Sequence, residues 1–385
     1  MKITGIICEY NPLHLGHKKQ MEQIRRIQGA DSGIVCLMSG NFVQRGAPAL
    51  LDKSLRAKAA VLSGADLVLE LPATVSLSSA EGFAAGGVSI LSDFCDALCF
   101  GAENGAKDAL MATAEALLRP QFPEALRVEL DKGLSFPAAR QAALDAMGIS
   151  GDLVTQPNNI LAVEYCKAIL QQNSKMEPLP ILRSGSYHDT LPDPENPSAT
   201  ALRWLFLEGG AWQDYVPQET IDCFESAGLH TIEAGQRAIL YRLRTMTDKE
   251  FECLPYGSEG LWRKLMHSAR KEATLEDILT AVKSKRYTRT RLDRMVMCAF
   301  LGITLQDLME KPPYVRVLAF NDRGREILKL ARQTGEFLNA GQQTDHPYQQ
   351  QENRWEDCYG LFALEKPDAA GDEPNRRVFY HTSQS

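Results

Sequence analysis

At 385 residues, 44% apolar and 24% charged, the chain has the composition of an ordinary globular protein with room for two domains. No run approaches the roughly 20 apolar residues that span a bilayer. The start enters a strand pattern without a signal region, and the nine cysteines are scattered, so membrane, exported and disulfide-stapled classes are excluded and a cytoplasmic location is expected.

The apolar run 3–8 suits a strand buried on both faces. Asn11-Pro12 breaks it, and residues 18–28 carry Met21, Ile24 and Ile27 at helical spacing. Between them stand His14, Gly16 and His17. Gly16 permits close backbone approach to a ligand, and the imidazoles fall near a helix N-terminus, where free N–H groups and the macrodipole favour phosphate. Zinc is a poor reading of the two histidines, since no Cys or His cluster accompanies them in sequence, and no protein-held metal is expected.

Further strands are expected at 33–38, 66–71, 97–100 and 179–182. The helix 52–63 has Leu55, Ala59 and Leu62 on one face and Gly64 as a C-cap, and further helices are expected at 80–91 and 107–118. This alternation implies a doubly wound parallel sheet, with ligands at the carboxyl ends of its strands. Candidate ligand loops follow in order. Ser39 to Gly46 carries Asn41 and Arg45, and Gly101 follows the fourth strand. Pro157-Asn158-Asn159 opens a helix in which one asparagine reads as the N-cap and the other as a ligand contact. Arg183 ends the fifth strand, where its forked guanidinium suits phosphate. Ser198, Thr200 and Arg203 combine a helix start with hydroxyls and a basic residue, again suited to phosphate.

After residue 205 the pattern turns helical, at 231–246, 259–271, 275–284 and 290–301. A strand at 314–320, a turn at 321–324 and a helix at 325–332 follow. Residues 263–294 hold ten basic and four acidic side chains, +6 in a chain of net charge −7. That local patch suits an RNA site. Within it Lys283, Lys285, Arg286, Tyr287, Arg289 and Arg291 interleave cations with an aromatic able to stack on unpaired bases. Beyond 334 the weak periodicity reads as a loosely structured tail. The expected division is 1–205 catalytic, 206–335 mainly helical and RNA-binding, and 336–385 an acidic, Gln-rich tail.

His14-Leu-Gly16-His17 after a strand and before a helix resembles the first signature of the nucleotidyltransferase superfamily, and Ser198-Ala-Thr200 with Arg203 resembles its second. Together with Glu9 to His17, Met38 to Gly46, Phe100 to Glu103, Pro157 to Leu161, Tyr187-His188-Asp189, Ser198-Ala-Thr200 and Lys285 to Thr288, the chain resembles the tRNA(Met) cytidine acetate ligase family from residue 3 to about 320. The resemblance implies a Rossmann-like nucleotidyltransferase sheet with a second helical domain. It also implies acetate, ATP and elongator tRNA(Met) as substrates, with an acetyl-adenylate intermediate. ATP is expected on Ile7, Cys8, Glu9, Tyr10, Asn11, Pro12, Leu13, His14, Leu15, Gly16, His17, Lys18, Lys19 and Gln20, and on Gly101, Asn158 and Arg183. His14 and His17 are expected to stabilise the phosphates. Mg2+ is expected to be held by the triphosphate and water. A small-molecule adenylyltransferase of the NAD or coenzyme A type uses the same two signatures and is the alternative; a non-catalytic RNA-binding protein on a decayed enzyme fold is the third reading.

Overall fold

The computed structural model describes residues 1–103, 106–182 and 197–382. Its strands are β1 (Ile3–Cys8), β2 (Gly33–Ser39), β3 (Phe42–Val43), β4 (Ala47–Pro48), β5 (Leu67–Leu71), β6 (Ala97–Ala102), β7 (Glu177–Leu182), β8 (Val315–Asn321), β9 (Phe337–Asn339) and β10 (Phe379–His381). The main sheet runs β10-β8-β5-β2-β1-β6-β7, with β9 also paired to β8. From β5 to β7 every pairing is parallel. β2 and β5 are buried along their whole length, as expected of strands covered on both faces, with Glu70 the one charged residue of β5. The chain winds outward from β1 through β2 to β5, then returns to the other side of β1 for β6 and β7. Strand order therefore reverses between β1 and β6, which opens a crevice at their carboxyl ends.

The expected helices at 80–91 and 107–118 form with those bounds, as Ala80–Leu91 and Lys107–Leu118. The helix Lys53–Leu62 is capped by Asp52 at its start, and Gly64 follows its Ser63 C-cap at φ +116°. Residues 321–324 are not a separate turn: Asn321 caps the helix Asp322–Ala331, and its side chain accepts from the Gly324 N–H.

Two expectations for the C-terminal part need correction. The strand assigned to the helical segment, β8, pairs antiparallel with β5 and extends the main sheet. The residues read as a loose tail contribute β9, β10 and the helix Pro347–Tyr359, whose Gln349, Trp355 and Tyr359 are buried. Buried ion pairs, beside a few apolar anchors, hold this part in place, which is why hydrophobic periodicity missed it. Lys53, almost fully buried, lies 2.9 Å from Glu70, 3.1 Å from Glu356 and 3.1 Å from Glu373. Arg376 forks onto Asp52 through two 2.8 Å hydrogen bonds, and Arg316 bonds Glu352 at 2.8 Å. Burial alone would strip the proton from Lys53, but the carboxylates of Glu356, Glu373 and Glu70 outweigh it and raise its pKa. Burial, reinforced by Glu373 and Glu70 and opposed by Lys53, pushes Glu356 up to about 7. Such a cluster tolerates no missing partner, because each remaining charge would be left desolvated.

The helices Ile232–Thr245, Leu261–Lys271, Leu275–Val282 and Arg289–Leu301 build a separate apolar core. That core is completed by Phe42 and Leu77 from the sheet region and by Trp355, Tyr359 and Phe362 from the C-terminal part. The helical unit is thus welded to the loops above the sheet. No helix among the described residues is long and apolar enough to cross a membrane.

Candidate functional site

The site begins where β1 ends. Tyr10 adopts φ +46° and Asn11–Pro12 is cis, so the chain turns sharply into the helix Leu15–Gln28. His14 is the N-cap of that helix. Its Nδ1 accepts from the Gly16 N–H at 3.1 Å, while the Nδ1 of His17 accepts from the His14 N–H at 3.2 Å. The two rings stack with centroids 3.7 Å apart. Since both Nδ1 atoms are acceptors, the neutral imidazoles carry their protons on Nε2, the nitrogen that donates to an anion. A Cβ at Gly16 would lie 2.9 Å from the His14 ring, so a larger residue there would require that ring to shift. Burial raises both the Cys8 thiol and the Tyr10 phenol well above their usual values, so both stay protonated beneath this loop. Lys18 is paired with Glu219 at 2.6 Å, and Gln20 donates to the Cys99 sulfur at 3.5 Å, across to β6.

After β2 comes the loop bearing Asn41 and Arg45. Its organiser is Arg56, a residue that sequence reasoning passed over because it stands in an unremarkable amphipathic helix. Arg56 is fully buried and donates to the carbonyls of Leu51 (2.8 Å), Glu9 (2.7 Å), Ser39 (3.0 Å) and Gly40 (2.6 Å). It therefore ties the ends of β1 and β2 together. Burial lowers its pKa. The Glu9 carboxylate accepts from the Gln44 N–H at 2.9 Å, and Asn41 donates to Asp52 and Glu356, joining the loop to the buried ionic cluster.

Gly101 proves to be a strand residue of β6, paired with Ile181, rather than part of the loop that follows. Glu103, just beyond β6, answers the question posed by the tandem asparagines. Its carboxylate accepts from the backbone N–H groups of Asn158 (3.0 Å) and Asn159 (2.7 Å) and from the Asn158 side-chain amide (2.7 Å). The Asn159 side-chain Oδ1 in turn accepts from the Glu103 N–H at 3.0 Å. Neither asparagine is the N-cap, a position taken by Gln156 before Pro157. The helix Pro157–Gln171 is instead capped from outside by Glu103, which fixes the amide of Asn158 at the β6 end of the crevice.

Ser198 caps the helix Ala199–Leu207. Arg203, one turn in, donates to the Asn11 carbonyl at 2.8 Å and to the Thr200 hydroxyl at 3.1 Å. Residues 192 apart in sequence thus meet, and three helix N-termini (at His14, Gln156 and Ser198) belong to segments joined by these hydrogen bonds at one sheet edge. Arg183, Tyr187, His188 and Asp189 lie outside the described residues. Such an edge, with imidazole donors, helix N-termini and a fixed guanidinium, suits a polyanion.

The basic segment is organised differently. Arg286 pairs with Glu259 at 2.7 Å, and the Tyr287 hydroxyl donates to the same carboxylate. Arg289 forks onto Glu276 and also bonds Asp293, each at 2.8 Å. Its bond to Glu276 is the largest cause raising its pKa. Arg291 donates to the Tyr256 carbonyl and lies over the Tyr287 ring at 5.0 Å. Lys283 and Lys285 are exposed. Gly46, at φ +79°, is packed so tightly against the backbone of Asp293 and Arg294 that a Cβ would not fit. Through this contact the basic helix abuts the loop after β2.

Residues 1–368 match the family model described as HIGH Nucleotidyl Transferase. A tRNA(Met) cytidine acetate ligase from Clostridium novyi is 40% identical over 350 residues, covering 86% of this chain and 87% of the relative. The protein of the same name from Acetivibrio thermocellus is 37% identical over 357 residues, 85% of each. Among solved structures, Thermotoga maritima TmcAL bound with alpha-thio ATP superposes with a TM-score of 0.87 at 28% identity, and its apo form with 0.90 at 29%, each covering the whole of both chains.

Proposed function

From the premise that the chain belongs to the HIGH nucleotidyl transferases, and within them to the tRNA(Met) cytidine acetate ligase family, we propose that it ligates acetate to the wobble cytidine of elongator tRNA(Met) at the expense of ATP. The acetate carboxylate attacks the α-phosphate of ATP and pyrophosphate leaves. The exocyclic amine of the cytidine then attacks the acetyl carbon, AMP leaves, and N-acetylcytidine results. The observation that carries the reading is the bond from Arg203 to the Asn11 carbonyl, because it unites the two superfamily signatures at one sheet edge.

No enzyme nucleophile is needed, since acetate itself attacks. Catalysis is then positioning and electrostatic stabilisation. His14 and His17 donate through Nε2 to the phosphates, Asn158 is held ready by Glu103, Arg203 adds fixed positive charge, and Arg183 contributes a further cation. Among the described residues no cluster of three His, Cys, Asp or Glu side chains could hold a metal ion. The Glu9 and Glu103 carboxylates accept backbone hydrogen bonds. Mg2+ would be held by the triphosphate and water. The smaller adenylyltransferase reading draws no support, because the relatives match through the helical segment as well.

The test is incubation with ATP, labelled acetate and total bacterial tRNA. Label in RNA supports the reading; AMP transferred to a small molecule, or RNA binding without turnover, overturns it.

A further inference from the structure

Four side chains of the helix Ala199–Leu207 fall on its outward face. Successive residues advance by about 100°, and Ala201, Leu202 and Phe206 are the buried ones. Thr200, Arg203, Trp204 and Leu207 therefore lie on the side away from the core. Thr200 and Arg203 are at the phosphate end, hydrogen-bonded to each other. One turn further on stands Trp204, 53% exposed, with Leu207 at 41% beside it.

An indole in water is unusual, and the other tryptophans of the chain show how this protein ordinarily treats the residue. Trp212 and Trp355 are buried at 8% and 5% exposure. Trp212 stacks on Phe206 at 4.4 Å, and Trp355 donates to the Leu301 carbonyl. Trp262 is half-buried, with Arg263 over its ring at 4.9 Å. Trp204 has no ring partner among the described residues. Its Cα lies about 6 Å along the helix axis from that of Thr200.

We infer that Trp204 is a stacking platform for the acceptor cytosine. The inference rests on the proposed function, which requires one unpaired base to leave its loop and bring its amine to an acyl-adenylate. Proteins read such bases by stacking them on aromatic side chains. A flat, exposed indole next to the phosphate-facing guanidinium of Arg203 offers one face to a pyrimidine, while leaving the exocyclic amine at the ring edge pointing toward the activated acyl group. Leu207 extends the apolar surface on the side away from the phosphates. The ligand class is thus an unpaired pyrimidine nucleotide in an RNA loop.

The test uses the whole protein, a tRNA(Met) transcript, and an anticodon stem-loop made with either cytidine or an abasic site at the acceptor position. Trp204→Ala is expected to lower kcat/KM for tRNA by about 5- to 150-fold, the equivalent of about 1–3 kcal/mol per stacked base. Trp204→Phe should recover much of the loss. Acetate-driven ATP–pyrophosphate exchange without tRNA reports on the other half-reaction and should stay near the parent rate. In the parent, the cytidine stem-loop should quench indole emission; the abasic one should not, and Trp204→Phe should lose the quench. Equal quenching by both stem-loops, or parent-like kcat/KM in Trp204→Ala, overturns the platform while leaving the proposed function intact. A change in oligomeric state with unaltered tRNA kinetics overturns it too, in favour of a protein contact. Absence of acetate-driven exchange in the parent would instead refute the proposed function.

Discussion

The nucleotide edge and the basic segment both concentrate cations, but they bind them to different partners. At the edge, Arg56 and Arg203 donate to backbone carbonyls, of Leu51, Glu9, Ser39 and Gly40 in the first case and of Asn11 in the second. In the basic segment, Arg286 and Arg289 donate to carboxylates. A carbonyl ligand carries no formal charge, whereas a carboxylate cancels that of its partner; the Glu9 and Asp52 carboxylates still act on Arg56 from nearby. Charge counting along the sequence, which gives the basic window +6, thus overstates the field that window projects, because Glu259 lies outside it and pairs with Arg286. Lys283 and Lys285 are exposed and suit contact with an RNA backbone.

The comparison can be broken at either end. Arg56→Ala is expected to have the largest effect. Several buried carbonyls would lose their donor at about 1–3 kcal/mol each, so denaturant unfolding should show a loss of at least about 3 kcal/mol. A smaller loss would mean that water replaces the guanidinium. His17→Ala should leave the unfolding midpoint nearly unchanged and reduce turnover by ~10²-fold or more, the scale of losing a preorganised donor. Near-parent turnover would remove the phosphate role from His14 and His17. Arg203→Ala removes a charged donor worth about 1.5–3 kcal/mol, and acetate-driven exchange should slow by roughly 10- to 100-fold. Exchange at the parent rate would show that the link between the two signatures is structural only.

In the basic segment the effects should be smaller and confined to RNA. Lys283→Ala with Lys285→Ala should weaken tRNA binding and flatten its salt dependence by up to about one phosphate contact per lysine. Arg289→Ala should do least. Its ion pairs are partly solvated, so the stability change should stay within about 1 kcal/mol. If Arg289→Ala weakens tRNA binding more than the two lysines do, the guanidinium leaves Glu276 to bind RNA and the contrast drawn above fails.

Much of the catalytic sheet was legible because its signals are local. A buried parallel strand announces itself as an apolar run, and His14-Leu-Gly16-His17 lies within one turn. The strands β1, β2, β5, β6 and β7 and the helix starts near His14 and Ser198 follow from such short patterns. What remained hidden depends on pairing across long separations. Glu103 meets Asn158 and Asn159 some 55 residues on, and no feature of either stretch names the other. Arg56 looks like any helix-surface arginine until its four carbonyls are in place. The C-terminal part was missed because much of its order comes from ion pairs of Lys53, Asp52 and Arg316 with residues 352–376, which read as polar, aperiodic chain.

The division of labour between the edge and the basic segment is tested most directly by acetate-driven ATP–pyrophosphate exchange without tRNA, measured beside acetyl transfer to tRNA(Met) in the Lys283→Ala, Lys285→Ala protein. Exchange at the parent rate with transfer reduced is the expected result if the proposed site at the sheet edge forms acetyl-adenylate by itself. Exchange that needs tRNA, or that collapses with the lysines while tRNA binding holds, would place the basic segment inside the adenylation site and contradict the account.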